Sequence, residues 1–170
     1  MHPKLVIFDL DFTVWYPEMY ELTGAPFKRC PKSGRVTDKA GEEVFLFPDI
    51  YPIMRELVDL QIPVAAASKT EYPKWAHQCL KLIDIDGQSL DSIVIHKEIY
   101  PKNKTNHFKK LKETTGYEYK DMLFFDNERW NIEDIKPLGV TCIHCPDGMT
   151  LQHFETGLKL FADNFKQTVE

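Results

Sequence analysis

Five short apolar runs alternate with segments of helical periodicity along the 170 residues. That alternation predicts an α/β fold, a three-layer Rossmann-like parallel sheet flanked by helices. Two further observations agree. The runs are continuously apolar rather than alternating, as in strands buried on both faces. Several end abruptly in carboxylate or hydroxyl side chains, at the sheet rim where open α/β folds bind ligands.

The first run, Leu5–Phe8, stops at Asp9 and Asp11, with Thr13 two residues on. Two carboxylates at the end of a buried strand repel each other, and desolvation adds to the cost. A cation, most simply a divalent metal, balances them. From Trp15 to Arg35 the chain reads as irregular, with Pro17, Pro26, Pro31 and Gly34. Val36–Asp38 and Glu43–Phe47 flank Lys39-Ala40-Gly41-Glu42 and predict a hairpin. Asp49 is placed to cap a helix over Ile50–Leu60, where Ile53, Met54, Leu57 and Leu60 recur at helical spacing. Ile62–Ala67 is the second strand and ends in Ser68-Lys69-Thr70. A helix over Tyr72–Leu82 follows, with Pro73 in its first turn. A loop around Asp86-Gly87-Gln88 leads to the third strand, Ser92–His96. Asn103 then introduces a helix over Lys104–Thr115 that Gly116 stops. Asp121–Phe125 is the fourth strand, ending in Asp126-Asn127, before a short helix over Arg129–Lys136. Gly139–His144 is the fifth. The last helix, Thr150–Phe165, lines up Leu151, Phe154, Leu158, Phe161 and Phe165 on one face. No linker divides the chain, so one domain is expected over 1–170, with the hairpin insertion at about 34–47.

Composition bounds the function. Hydrophobic content of 43% and charged content of 28% are ordinary for a globular domain. A net charge of −5 argues against nucleic-acid or anionic-membrane partners. No apolar run approaches the ~20 residues of a membrane span. MHPKLVIFDL runs straight into charge, unlike a secretory leader. Four cysteines are too few for a disulfide framework in a chain of this length, so a reduced, cytoplasmic setting is expected.

The strand ends collect Asp9 and Asp11, Ser68, Lys104 and Asp126 on one rim. Each has a bland reading alone. Asp-x-Asp is common in turns, Ser68 could be a helix cap, and a lone lysine is usually solvated. Asn131 could cap the helix beside it. Taken in order the set resembles the haloacid dehalogenase superfamily: strand then Asp9-x-Asp11-x-Thr13, strand then Ser68, Lys104 before a helix, strand then Asp126 with Asn127 and Asn131. FDLDFTVW, AAASKT, KEIYPKNKTNHF, LFFDNERWN and GVTCIHCPDGM resemble the magnesium-dependent phosphatase-1 family over nearly the whole chain. Lys69 and Asn127 depart from that pattern, where arginine and a second acid are expected. Relatives in the superfamily often insert a cap domain, but Val14–Pro48 and Lys69–Asn103 are too short for one. No cap is expected, and the hairpin, with Trp15, Tyr16 and Phe27, should form a low wall beside Asp9.

The resemblance implies a Mg²⁺-dependent phosphomonoesterase working through an aspartyl-phosphate. Such chemistry must neutralise a phosphate dianion and align an in-line attack. Asp9 is the expected nucleophile and Asp11 the acid and base. Asp9, the Asp11 carbonyl and Asp126 would hold Mg²⁺, an all-oxygen set that suits it. Ser68 and Lys69 would contact phosphate, Lys104 would offset charge, and Thr13, grouped with them, would orient Asp11. Asn127 and Asn131 would contact the metal's waters. The resemblance suggests a phosphorylated protein, phosphotyrosine included, or sugar phosphates as substrate, handled by a monomer. Cys142-Ile143-His144-Cys145 lacks the second pair of a zinc site. Two other readings stand beside this one: an inactive phosphate-binding protein, and a receiver-like signalling domain. A receiver needs an acceptor aspartate after its third strand, where this chain has Ile95-His96-Lys97.

Overall fold

The structure, a computed structural model, describes residues 1–168. Its main sheet contains β1 (Leu5–Phe8), β6 (Val64–Ser68), β9 (Val94–Ile99), β10 (Met122–Asp126) and β11 (Thr141–His144). All five are parallel, in the order β11-β10-β1-β6-β9. β1 is therefore central, and its carboxyl end opens between those of β6 and β10.

Side chains of β1 alternate between two cores, as the period of a strand requires. Leu5 and Ile7 join Phe108 and Leu111 of α4 (Lys104–Thr115) and Ile135 of α5 (Arg129–Ile135). Val6 and Phe8 join α1 (Ile50–Asp59), α2 (Pro73–Leu82) and α6 (Leu151–Gln167), through Ile53, Ala76 and Phe154 among others. Helices thus cover both faces, the three layers expected. Among the described residues no cap domain is present.

Three differences from expectation have physical reasons. First, the insertion after β1 is more than a hairpin. Strands β2 (Trp15–Tyr16), β3 (Lys28–Arg29), β4 (Val36–Thr37) and β5 (Glu43–Leu46) form a second, antiparallel sheet in the order β2-β5-β4-β3. Two-residue strands are too short to leave a periodic signal. Second, the loop at Asp86 is a tight hairpin of β7 (Asp84–Ile85) and β8 (Gln88–Ser89). Asp86 and Gly87 take φ of 53° and 85°, the paired left-handed turn that suits a two-residue hairpin. Ser89 then caps α3 (Leu90–Ile93), which delays the third strand. Third, Asp49 makes no side-chain cap on α1; its Oδ2 accepts from the Leu151 N–H at 2.9 Å and caps α6 instead.

Candidate active site

β1 delivers Asp9 to the rim, where its N–H donates to the Phe125 carbonyl at 3.0 Å. The chain then reverses through Phe12, whose φ of 60° is a left-handed conformation unusual for a bulky residue. The turn closes with the Phe12 N–H on the Trp15 carbonyl at 2.8 Å. Phe12 points outward and packs edge-on against Phe47. Asp9 and Asp11 face the cleft, and Thr13 turns back beneath Asp9.

Lys104 opens α4 behind its cap Asn103, which accepts from the Thr105 N–H at 2.9 Å. Its ammonium reaches between two strand ends, donating to Asp9 Oδ1 at 2.7 Å and Asp126 Oδ2 at 2.6 Å. The triad is almost dry, with Lys104 at 1% exposure and Asp126 at 0%. Asp126 also accepts from the Glu128 N–H at 2.8 Å and from Asn131 Nδ2 at 3.1 Å. Two carboxylates against one ammonium leave a buried excess of negative charge. Burial, then the Asp126 charge, push the Asp9 carboxyl up to about 8, against the pull of Lys104. Burial lowers the Lys104 ammonium, but its two carboxylates outweigh that and raise it.

Asp11 lies in different surroundings. Trp15 Nε1 donates to its Oδ1 at 2.8 Å and the Met19 N–H to its Oδ2 at 3.2 Å. Burial raises the carboxyl to about 6, while the two donors restrain the rise. Two neighbouring carboxylates thus have separate environments, the arrangement by which one site assigns separate acid and base roles.

The cleft above this floor holds about 480 Å³. It is lined by Asp9, Asp11, Ser68, Lys69, Lys104, Asn127 and Asn131, so most of the expected set converges. Ser68 is buried, with its Oγ accepting from the Thr70 N–H at 3.2 Å. Two expectations are corrected. Thr13 is fully buried and does not line the cleft, which rules out substrate contact in this geometry. Its hydroxyl donates to Asp9 Oδ2 at 3.0 Å and accepts from the Asn127 N–H at 3.0 Å, so it orients Asp9 and not Asp11. The hairpin does not wall the site either. Trp15 is buried beneath it, and the wall is the segment with Glu18 and Tyr20. That segment is fastened by Asp38, whose carboxylate accepts from the backbone N–H groups of Thr23, Gly24, Ala40 and Glu42. Gly24, at φ 118°, lies against the Trp75 ring, where a Cβ would come within 2.4 Å.

Sequence reasoning missed His107. It is buried three residues beyond Lys104, with Nε2 on the Ser68 carbonyl at 2.9 Å and the Tyr100 carbonyl at 3.0 Å. The ring ties the ends of β6 and β9 to α4, and so holds Ser68 and Lys104 in register. Its signal was the i, i+3 spacing from Lys104, which puts both on one helix face.

The acid phosphatase family profile matches residues 1–164. The chain belongs to the acid phosphatase family. Magnesium-dependent phosphatase 1 of Homo sapiens is 42% identical over 160 residues, covering 94% of this chain and 88% of the human one. A HAD-like hydrolase superfamily protein of Schizosaccharomyces pombe is 38% identical over 144 residues, covering 82% and 83%. Among solved structures, the N-terminal part of a Bacteroides fragilis protein containing a phosphatase domain, complexed with Mg, superimposes with TM-score 0.67 at 17% identity. It covers 91% of this chain, which spans 40% of that one. The resemblance to haloacid dehalogenase superfamily phosphatases is borne out, and phosphomonoesters are the substrate class of this acid phosphatase family member. Among the described residues no helix is long and apolar enough to cross a membrane.

The donor set of this acid phosphatase fits a hard divalent cation. Asp9, Asp126 and the Asp11 carbonyl offer only oxygen. The Asn127 amide lies beside Asp9 Oδ2 and the Asp11 carbonyl; with its nitrogen inward it donates to them at 2.9 Å and 3.2 Å. Asn131 Oδ1 is buried and has no hydrogen-bond partner. An orphaned buried acceptor implies a donor that arrives with a ligand, such as a metal-bound water. Cys142 and Cys145 carry no metal set: both are free thiols pushed up to about 12 by burial.

Proposed function

We propose that this chain is a Mg²⁺-dependent phosphomonoesterase that forms an aspartyl-phosphate on Asp9. The single observation that carries the reading is the Asp9–Lys104–Asp126 triad at the floor of an open cleft, with Asp11 held apart by Trp15 and Met19. Asp9, Asp126 and the Asp11 carbonyl would hold the divalent cation, which would supply positive charge for the phosphoryl oxygens and favour the ionised form of Asp9. Lys104 and Thr13 fix the two Asp9 oxygens. The Asp9 carboxylate attacks phosphorus as the bond to the leaving oxygen breaks, and Asp11 gives that oxygen its proton. Asp11 then takes a proton from water, whose oxygen displaces Asp9 and releases inorganic phosphate. Ser68 and Lys69 hold the phosphoryl group. Substrates are phosphorylated protein side chains, phosphotyrosine among them, with sugar phosphates as the smaller class. The absence of a cap among the described residues supports bulky substrates, since nothing there closes over the cleft.

Steady-state and quench kinetics test this. EDTA abolishes turnover of an aryl phosphate and Mg²⁺ restores it. Asp9→Asn removes turnover on every substrate. Asp11→Asn costs about 10²–10⁴-fold on alkyl phosphates, whose leaving group needs a proton, and far less on para-nitrophenyl phosphate. Equal losses on both for Asp11→Asn would refute the division of roles, and full activity in EDTA would refute the metal.

A further inference from the structure

The mouth of the cleft has a composition that the phosphoryl chemistry does not require. Three walls rise from it, each carrying one glutamate and one aromatic ring. The segment after β2 brings Glu18 and Tyr20, the segment after β6 brings Glu71 and Tyr72, and the start of α5 brings Glu128 and Trp130. The rings are strongly exposed for their size: Tyr20 at 67%, Trp130 at 57% and Tyr72 at 37%. Tyr72 is stacked on Trp75 at 4.2 Å between centroids, so its free face is held still. None of the three glutamates takes part in a salt bridge among the described residues. Against them the mouth sets a single lysine, Lys69; Lys104 lies below, committed to Asp9 and Asp126. Asn131 Oδ1, buried, unpartnered and lining the same cleft, marks it as built to receive a donor.

A divalent cation and a phosphate dianion cancel at the floor, so the acidic mouth stays acidic when the site is loaded. An anionic leaving group meets repulsion from all three walls. A cationic one meets a carboxylate and an aromatic face at each, and guanidinium groups are suited to both.

We propose that this mouth selects phosphoryl groups flanked by cationic side chains, and that the substrate is a polypeptide with arginine or lysine beside the phosphorylated residue. The inference rests on the phosphatase reading above. Glu18, Glu71 and Glu128, with Tyr20, Tyr72 and Trp130, are its specificity-determining residues. A polypeptide is favoured over a small cationic phosphate because the carboxylates stand on three separate walls, and a small leaving group reaches one wall at a time.

The test compares kcat/KM for two phosphotyrosyl peptides that differ only in flanking arginines or flanking glutamates. Exposed ion pairs are individually weak, so two or three together give a preference for the basic peptide of about tenfold at low salt. The difference lies in KM. At 0.5 M NaCl the Debye length falls to roughly 4 Å and the preference drops below about threefold. The double variant Glu71→Gln/Glu128→Gln, at solvent-accessible positions, narrows the ratio to about twofold; adding Glu18→Gln brings it near one. Phosphoethanolamine against glycerol 3-phosphate is the small-molecule arm, with an expected ratio under about threefold. Equal rates for the two peptides, or a preference that survives the triple variant, overturn the inference and leave the phosphatase reading intact. A preference confined to the small pair overturns the polypeptide assignment. No turnover of any phosphomonoester, para-nitrophenyl phosphate included, overturns both readings.

Discussion

Lys104→Met removes the ammonium between Asp9 and Asp126 while keeping most of the side-chain volume. The ammonium is 1% exposed and lies 2.7 Å and 2.6 Å from the two carboxylates. Breaking a buried ion pair by deleting one partner costs about 3–5 kcal/mol, because the remaining charge is left unpaired. Here two charges remain, and one of them escapes the cost by taking up a proton. Asp9 is already raised to about 8 with Lys104 present, so in the variant it rises further and stays protonated. The sign of the pH dependence follows. A carboxyl whose folded value lies above its unfolded value of 3.8 contributes stability that is complete below 3.8 and lost as pH climbs through the folded value. Parent and variant both keep Asp9 protonated from pH 5 to pH 7, so chemical denaturation in EDTA should show a deficit that is flat over that range and widens above pH 8, where only the parent's Asp9 ionises, toward roughly 3–5 kcal/mol. Saturating Mg²⁺ should recover much of it, about 2.7 kcal/mol at a hundred times Kd. A deficit that fails to widen above pH 8, or parental stability in EDTA throughout, would show that the Lys104 ammonium does not support ionised Asp9 beside Asp126.

Three other perturbations test other parts of the site. Asp38→Ala strips a buried acceptor from four backbone N–H groups; a loss of about 3 kcal/mol is expected by thermal or chemical denaturation, with faster proteolysis at residues 17–24. Against the upward push of burial those four bonds hold the Asp38 carboxyl down to about 2, so its contribution is present above 3.8 and fades as pH falls toward 2. Trp15→Phe keeps the buried ring but removes a donor from Asp11, so the carboxyl rises above its present value of about 6 and the basic limb of kcat against pH moves up on alkyl phosphates; an unmoved limb refutes the role. Asn127→Asp should tighten Mg²⁺ binding by about tenfold in calorimetry, from a third carboxylate near the cation, and should lower stability in EDTA.

The strand ends were legible because a carboxylate after an apolar run has no apolar reading. Asp9 and Asp126 were found in this way, and Lys104 by its place in the order. The wall was not legible. β2 and β3 have two residues each, too few for periodicity, so the segment that carries Glu18 and Tyr20 looked irregular. Trp15 read as part of a low wall beside Asp9, because its indole finds Asp11 only once Phe12 has turned the chain through a left-handed residue. Thr13 was assigned to the wrong aspartate for the same reason: neighbours across a tight turn are set by dihedral angles, not by spacing. Asp49 caps a helix 102 residues away, a contact that no local window contains.

Phe12 also explains why two aspartates so close in sequence can do different work. Its reversal leaves the Asp9 carboxylate facing Lys104 and Asp126, while the Asp11 carboxylate faces two neutral N–H donors. Without a metal the more buried Asp9 is the harder of the two to ionise, at about 8 against about 6. That order is wrong for a nucleophile beside a general acid. A divalent cation on the proposed ligands would act unequally on the pair, through the carboxylate of Asp9 but only the backbone carbonyl of Asp11. Asp9 would then be ionised, whereas burial keeps the Asp11 carboxyl raised and able to hold a proton near neutrality. On this reading the metal does more than neutralise phosphate. It would invert the order in which the two carboxyls titrate, while Trp15 and Met19 hold the Asp11 carboxylate on their own N–H groups.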